Sequence, residues 1–524
     1  MIYPAKIIFS YTKFFIISFF IALTAQSAQG QLSYKNYLHK PKLVVVLVID
    51  QFRADYLSRL QNQFLPAGSK DQPGGFEFLA SQGAYFPFAE YEVFQSMTCP
   101  GHAMILTGSY PELNGIPLNE WYDQALHKMR YCVDSEKYGI SPENLKTSTV
   151  SDEYKMTHPE SKVFSMALKD RSAVLLGGHL SNRAIWYDAG TSHWASSNYY
   201  GTGTPAWMEE KNKELSEEKG RKFSWKTHFF DKSLPMGSKL ALASPYGTKI
   251  LFRLAKSAVQ SEKLGQNINT DFLFMSLSNH DYVGHMMGPL SREIEALTLA
   301  EDREISDFLK YLRLQLGGLK NVVVVLTADH GVSPLVEDLK NFKLDAGRLD
   351  YLALHKNAGE ALTKKYGSPE DQPWFSASHS LHFYLNRELL TKKKIPLKEA
   401  LEVVRKVFLA QQGVWKVFTH TDYEEGRFPV GELGEQLKRQ YLPSASGDLV
   451  LIPRPFYMEK DENQTTHMTG FSYDRQVPLI IFGANIKPSV HLEQAKIIDL
   501  ATTLSSILGS TAPAGSFGKP LPIF

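Results

Sequence analysis

Residues 43–50 read Leu43-Val44-Val45-Val46-Leu47-Val48-Ile49-Asp50, an unbroken apolar run closed by a carboxylate. Apolar and polar residues do not alternate along it, so neither face of the strand meets water. A β-branched run of this kind predicts a strand of a parallel sheet covered by helices on both sides. The same design recurs twice. Phe272-Leu273-Phe274-Met275-Ser276-Leu277 leads into Ser278-Asn279-His280-Asp281, and Val322-Val323-Val324-Val325-Leu326 leads into Thr327-Ala328-Asp329-His330-Gly331. Sheets of this type bind ligands beyond the carboxyl ends of their strands. One aspartate there is an ordinary loop or N-cap residue. Three of them, two with histidine neighbours, point to a shared site.

Lys162 to Ser165, Leu449 to Ile452 and Pro478 to Phe482 are further strand candidates. The expected fold is therefore α/β, a mostly parallel sheet between helices spanning 41–524. Two more polar stretches, near 176–265 and 340–445, are expected as insertions that cap it. The 524 residues, 43% hydrophobic and 21% charged, suit one large core with insertions. Gly201-Thr202-Gly203-Thr204-Pro205-Ala206 imitates a dinucleotide fingerprint, but its proline and the lack of a preceding strand make it a loop. No Gly-x-Ser-x-Gly elbow occurs.

Residues 1–30 read as a secretory signal peptide. Lys6 and Lys13 flank a short apolar segment, Phe14 to Leu23, and small residues follow at Ala28 and Gly30. The segment falls short of the ~20 residues that a membrane span needs, so export to periplasm or medium is expected, with no stable anchor. Losing its two lysines takes the formal charge from +2 to 0. Nothing in that balance suggests nucleic-acid binding, which calls for a basic surface. Cys99 and Cys132 are the only cysteines; an exported protein could pair them, and the sequence leaves pairing open.

Six residues at strand ends could hold metal: Asp50, Asp281, His285, Asp329, His330 and His467. Asp281 and His285 are four apart, one helical turn. Three aspartates and three histidines suit two zinc ions, which accept oxygen and imidazole nitrogen alike. The nucleophile candidate is Thr98, in Ser96-Met97-Thr98-Cys99-Pro100-Gly101-His102. Pro100 fits a first helical turn, so Thr98 stands at a helix N-terminus among free backbone N–H groups. Coordination to zinc would make its hydroxyl an alkoxide near neutral pH.

Thr98-Cys99-Pro100-Gly101-His102 with Ile105-Leu106-Thr107-Gly108 resembles the nucleophile segment of the alkaline phosphatase superfamily, in its nucleotide pyrophosphatase/phosphodiesterase branch. Asp281-Tyr282-Val283-Gly284-His285, Thr327-Ala328-Asp329-His330-Gly331 and Thr466-His467 follow in the same order as in that branch. The resemblance implies one zinc on Asp281, His285 and His467, and a second on Asp50, Thr98, Asp329 and His330. It also implies that Asn119, Lys169 and Arg171 hold the phosphate, as in threonine-type, phosphate-irrepressible bacterial alkaline phosphatases. Met468-Thr469 departs from the pattern, since relatives often carry Gly and a small residue there. His280 is read as supporting or structural, not as a ligand.

The implied activity is hydrolysis of small phosphate monoesters through a phosphothreonine. A monoester is a dianion and a diester a monoanion, so added fixed positive charge favours the monoester. A phosphodiesterase with the same metals is the nearest alternative. A non-catalytic binding protein on this fold should have lost ligands, and all are present. A sulfatase is disfavoured because Pro100 directly follows Cys99 and Ala103 stands where its motif needs arginine.

Overall fold

The computed structural model describes residues 40–227, 233–460, 462–483 and 485–524. The expected signal peptide, 1–30, lies outside the described residues. Leu43–Ile49, buried along its whole length, is the middle of a ten-stranded sheet. It pairs in parallel with Asp271–Leu277 on one side and Val322–Thr327 on the other. Val163–Ala167 and Arg183–Asp188 extend the parallel block beyond Asp271–Leu277. On the other flank Gln476–Gly483 and Ala84–Glu90 close it with antiparallel pairings. The sheet is mostly parallel, as expected.

Register is what creates the site. Val48 lies opposite Ser276 on one neighbour and Thr327 on the other. The three strands therefore end level, and Asp50, Asp281 and Asp329 emerge at one edge.

Helices Thr98–Thr107, Asp170–Gly177 and Asp499–Leu508 belong to one layer on the sheet, and Pro245–Ser261 with Arg292–Leu316 to another. The local reasons are conventional. Ser244 accepts from Tyr246 N–H ahead of Pro245, and Ser291 caps Ile294 N–H before a helix that ends at left-handed Gly317. Arg183–Asp188 and Pro245–Ser261 both lie inside the 176–265 stretch yet belong to the central layers, so the inserted part of that stretch is shorter than the sequence suggested. Their apolar periodicity is carried by short runs between charges, which hid them.

Leu449–Pro453 is a strand, but of a second sheet. Phe375–His379, His382–Leu385, Leu449–Pro453 and Val414–Thr419 form an antiparallel unit. Helices Tyr351–Tyr366 and Leu397–Leu409 share with it a hydrophobic core of its own. No helix among the described residues is long and apolar enough to cross a membrane.

Glu301 sits fully buried on Arg292–Leu316, and neither carboxyl oxygen has a hydrogen-bond partner among the described residues. Burial holds its pKa well above the ordinary value. The folded chain thus keeps a proton that the unfolded chain releases. The stability this contributes is complete below the unfolded pKa and is lost as pH rises through the folded one. Glu301→Leu should therefore raise the thermal midpoint, with a gain that grows from pH 5 to pH 9 and reaches about 1–3 kcal/mol. A gain independent of pH would refute this account.

Candidate active site

The Thr98–Thr107 helix begins with Thr98 after extended Met97 and is buried throughout. It lies so close to the Val322–Thr327 strand end that a Cβ on Gly101 would stand 2.3 Å from the Asp329 carbonyl oxygen. His102 Nδ1 donates to Thr98 O at 2.8 Å and stands 3.1 Å from Asp329 Oδ2, while its Nε2 meets Ser276 Oγ at 2.9 Å. One imidazole thus links the Thr98 turn to two strands.

The structure brings all six metal-ligand candidates together. Asp50, Asp329 and His330 offer ligand atoms within 4.8 Å of one another, and so do Asp281, His330 and His467. His285 Nε2 joins them at 3.1 Å from Asp281 Oδ1, and His467 Nε2 lies 3.8 Å from the same oxygen. The histidines are prepared alike. His330 Nδ1 faces Gly331 O at 2.9 Å, His285 Nδ1 faces Thr465 O at 2.9 Å, and His467 Nδ1 faces Ser96 O at 2.6 Å. A carbonyl only accepts, so each Nδ1 carries a proton and Nε2 is the atom each ring turns toward the cluster. That is how metal-binding imidazoles are oriented.

Three buried atoms of the cluster, Asp50 Oδ1, Asp329 Oδ2 and His330 Nε2, have no hydrogen-bond partner among the described residues. Buried polar atoms are seldom left so. All three are lone-pair donors converging on one place, the chemistry a divalent cation needs. The donor set fits zinc.

The charges respond to this crowding. Burial, and then Asp329, push Asp50 well above the carboxylate range. Asp281 is also buried, yet His285 and Lys169 hold it well below that range. Burial lowers His330, and burial with the nearby imidazoles lowers His467. Burial opposes the charge on His285 too, but Asp281 holds that pKa above its ordinary value.

Lys169, Arg171 and Asn119 close the site from the side. Lys169 Nζ lies 2.6 Å from Asp50 Oδ2 and 2.7 Å from Asp281 Oδ2, bridging the two halves of the cluster. Arg171 donates to the Tyr131 hydroxyl at 3.3 Å, and its buried Nε has no partner among the described residues. Asn119 Oδ1 accepts from Cys99 N–H at 2.8 Å, which turns its amide NH2 away from that contact, beside Thr98. Cys99 and Cys132 are disulfide-bonded, fastening the Thr98 turn to the hairpin Glu120–Asp123/Lys128–Tyr131. His280 turns elsewhere: Nε2 meets Thr298 Oγ1 at 3.2 Å, and burial lowers its pKa to about 3.

Sequence reasoning missed Gln51, His102 and Tyr131. Gln51, at φ 67°, gives its N–H to Asp329 Oδ1 at 3.0 Å and its Nε2 to Asp281 Oδ1 at 2.6 Å. Gly284 makes room for it, since a Cβ there would stand 1.8 Å from Gln51 Oε1. The signal was the glycine inside Asp281-Tyr282-Val283-Gly284-His285. Met468 adopts φ 104°, a left-handed strain directly after His467.

Fold and site together define an alkaline-phosphatase-like α/β architecture with a buried Asp/His cluster able to hold metal at the sheet's carboxyl edge. Residues 44–472 match the model of the type I phosphodiesterase / nucleotide pyrophosphatase family, within the alkaline phosphatase superfamily, and the chain belongs to that family. Among its relatives, a protein of Myroides odoratus described as a calcium-transporting ATPase is 32% identical over 92% of this chain and 94% of that one. Alkaline phosphatase PhoV of Synechococcus elongatus is 30% identical over 96% of this chain and 97% of that one. The crystal structure of alkaline phosphatase PafA, a protein of Elizabethkingia meningoseptica, superposes with a TM-score of 0.83 at 28% identity, covering 92% of this chain and 98% of that one.

Gln51→Ala removes the contact that orients Asp281. It should weaken divalent-metal binding by about 10- to 100-fold, as read by competition with a chromophoric chelator; unchanged affinity would dismiss the role.

Proposed function

We propose that this protein is an exported, zinc-dependent phosphomonoesterase that moves the phosphoryl group of a small phosphate monoester onto Thr98 and then to water. The observation that carries the reading is the company kept by the carboxylate–imidazole cluster. Lys169 and Arg171 bring two cations to the Asp50 side of the cluster, and the Asn119 amide is bonded to Cys99 N–H at the helix N-terminus that begins with Thr98. Fixed positive charge of that kind favours a dianionic monoester over a diester. The relatives named alkaline phosphatases support the same activity. The signal-like residues 1–30 support export.

Asp50, Thr98, Asp329 and His330 would hold one zinc, and Asp281, His285 and His467 the other. When bound, the ions supply Lewis-acid charge that lowers the pKa of the Thr98 hydroxyl and of the hydrolytic water. Thr98 Oγ attacks phosphorus in line, and the bond to the leaving oxygen breaks with its electron pair on that oxygen. Cys99 N–H is taken by Asn119 and Gly101 N–H by Met97 O, so what this helix end offers the negative charge gathering there is the positive end of its dipole. Asn119 can donate Nδ2–H to a non-bridging oxygen because its Oδ1 is already taken by Cys99 N–H. The unpartnered Nε of Arg171 is a second donor for that group. Water then attacks the phosphothreonine, the Oγ–P bond breaks, and inorganic phosphate and Thr98 are regenerated.

Thr98→Ala should abolish the covalent route, so that no phosphorylated enzyme is trapped at low pH. Arg171→Ala should lower kcat/KM for p-nitrophenyl phosphate about 10- to 100-fold, and that for bis-p-nitrophenyl phosphate far less. Lys169→Ala should show the same bias with metal retained, because removing the ammonium leaves Asp50 and Asp281 more attractive to a divalent cation. Equal losses on both substrates from Arg171→Ala would sink the monoesterase assignment.

A further inference from the structure

We propose that Gln440, the last residue of helix Glu432–Gln440, is a positioning residue that locks the Thr98 and Asn119 loops into one register. The proposal rests on the reading that these two residues act on the phosphate. Gln440 Oε1 accepts from Gln95 N–H at 2.7 Å, and its Nε2 donates to Gln95 O at 2.9 Å. The same Nε2 donates to Pro117 O, also at 2.9 Å. Both hydrogens of one planar amide are thus spent on two different loops, which fixes the Gln95 and Pro117 carbonyls relative to each other. Gln95 lies three residues before Thr98, and Pro117 two before Asn119. Asn119 Oδ1 then returns to Cys99 N–H, closing the circuit.

The capping unit secures the other side of Gln95. Its Nε2 donates to Ser380 O at 2.8 Å, and its Oε1 accepts from His382 Nε2 at 2.7 Å. Gly447 N–H donates to His382 Nδ1 at 2.9 Å, so the imidazole proton must sit on Nε2. Burial keeps that ring neutral. Gln95, His382 and Gln440 are no more than 1% exposed, so every one of these bonds is shielded from water.

An independent observation agrees. Ser380 and Leu381, which join His379 to His382, both have positive φ, 51° and 67°. Two-residue hairpin turns of that shape are normally made by Asn-Gly, and strain persists where surrounding contacts over-determine it. Here those contacts are the Ser380 carbonyl on Gln95 and the buried Leu381 packed into the core of the second sheet. The hairpin tip therefore braces the segment that carries Thr98, and Gln440 sets its spacing to Asn119.

The test is a double-mutant cycle on the metal-loaded enzyme with p-nitrophenyl phosphate. Gln440→Met should lower the thermal midpoint, since three buried backbone groups lose their partner. Well below that midpoint it should keep metal content, yet lower kcat about 10- to 100-fold with a smaller change in KM, the penalty of a misplaced reacting group. In an Asn119→Ala background its cost should shrink at least about threefold, because the group it positions is gone. Gln440→Glu keeps the volume and the acceptor facing Gln95 N–H but loses both donations, and should behave like Gln440→Met. Wild-type kcat in both variants, or a loss that multiplies fully with Asn119→Ala, would overturn the proposal. Insolubility of both variants would also overturn it, by making Gln440 a folding residue. An Asn119→Ala enzyme with undiminished kcat would remove the underlying reading as well, and the single mutant alone reveals that.

Discussion

Three carboxylates, Asp50, Asp281 and Asp329, are buried within a few ångströms of one another at the end of a sheet. Like charges so placed repel strongly where water cannot screen them. The rest of the site answers that repulsion. Lys169 inserts its ammonium between Asp50 and Asp281, His102 approaches Asp329, and His285 pairs with Asp281. Even so, one oxygen each of Asp50 and Asp329 stays without a hydrogen bond among the described residues. The arrangement is costly for a protein alone and reasonable for one that holds divalent cations.

Backbone, not side chains, sets the orientation of the imidazoles. Gly331, Thr465 and Ser96 supply the carbonyls that fix the three tautomers, and they come from three distant parts of the chain. Strain collects at the same points. Gln51 follows Asp50 with φ 67°, and Met468 follows His467 with φ 104°. Each turns the backbone sharply so that the preceding ligand faces the cluster while the following residues leave it.

The second sheet gives the loops at the main sheet's carboxyl edge a brace that they could not provide themselves. Its hairpin tip and the neighbouring Glu432–Gln440 helix meet the 95–98 and 117–119 segments through side-chain amides. The disulfide between Cys99 and Cys132 ties the same segments covalently. Placement of Thr98 against Asn119 is thereby decided by groups outside the Asp/His cluster.

By itself the sequence determined the parallel sheet, because unbroken β-branched runs can be buried only when both faces are covered. It also determined the edge at which the aspartates gather, because each run ends on its acid. The ordered motifs carried the family and the expected ligands. What only the tertiary structure decided are the contacts between residues far apart in the chain: Lys169 across Asp50 and Asp281, Gln51 holding Asp281, the pairing of Cys99 with Cys132, and Gln440 joining two loops. Strand periodicity is a local property that neighbouring residues record. A hydrogen bond across hundreds of residues depends on register and chain direction, and a lone glutamine carries no local mark of it.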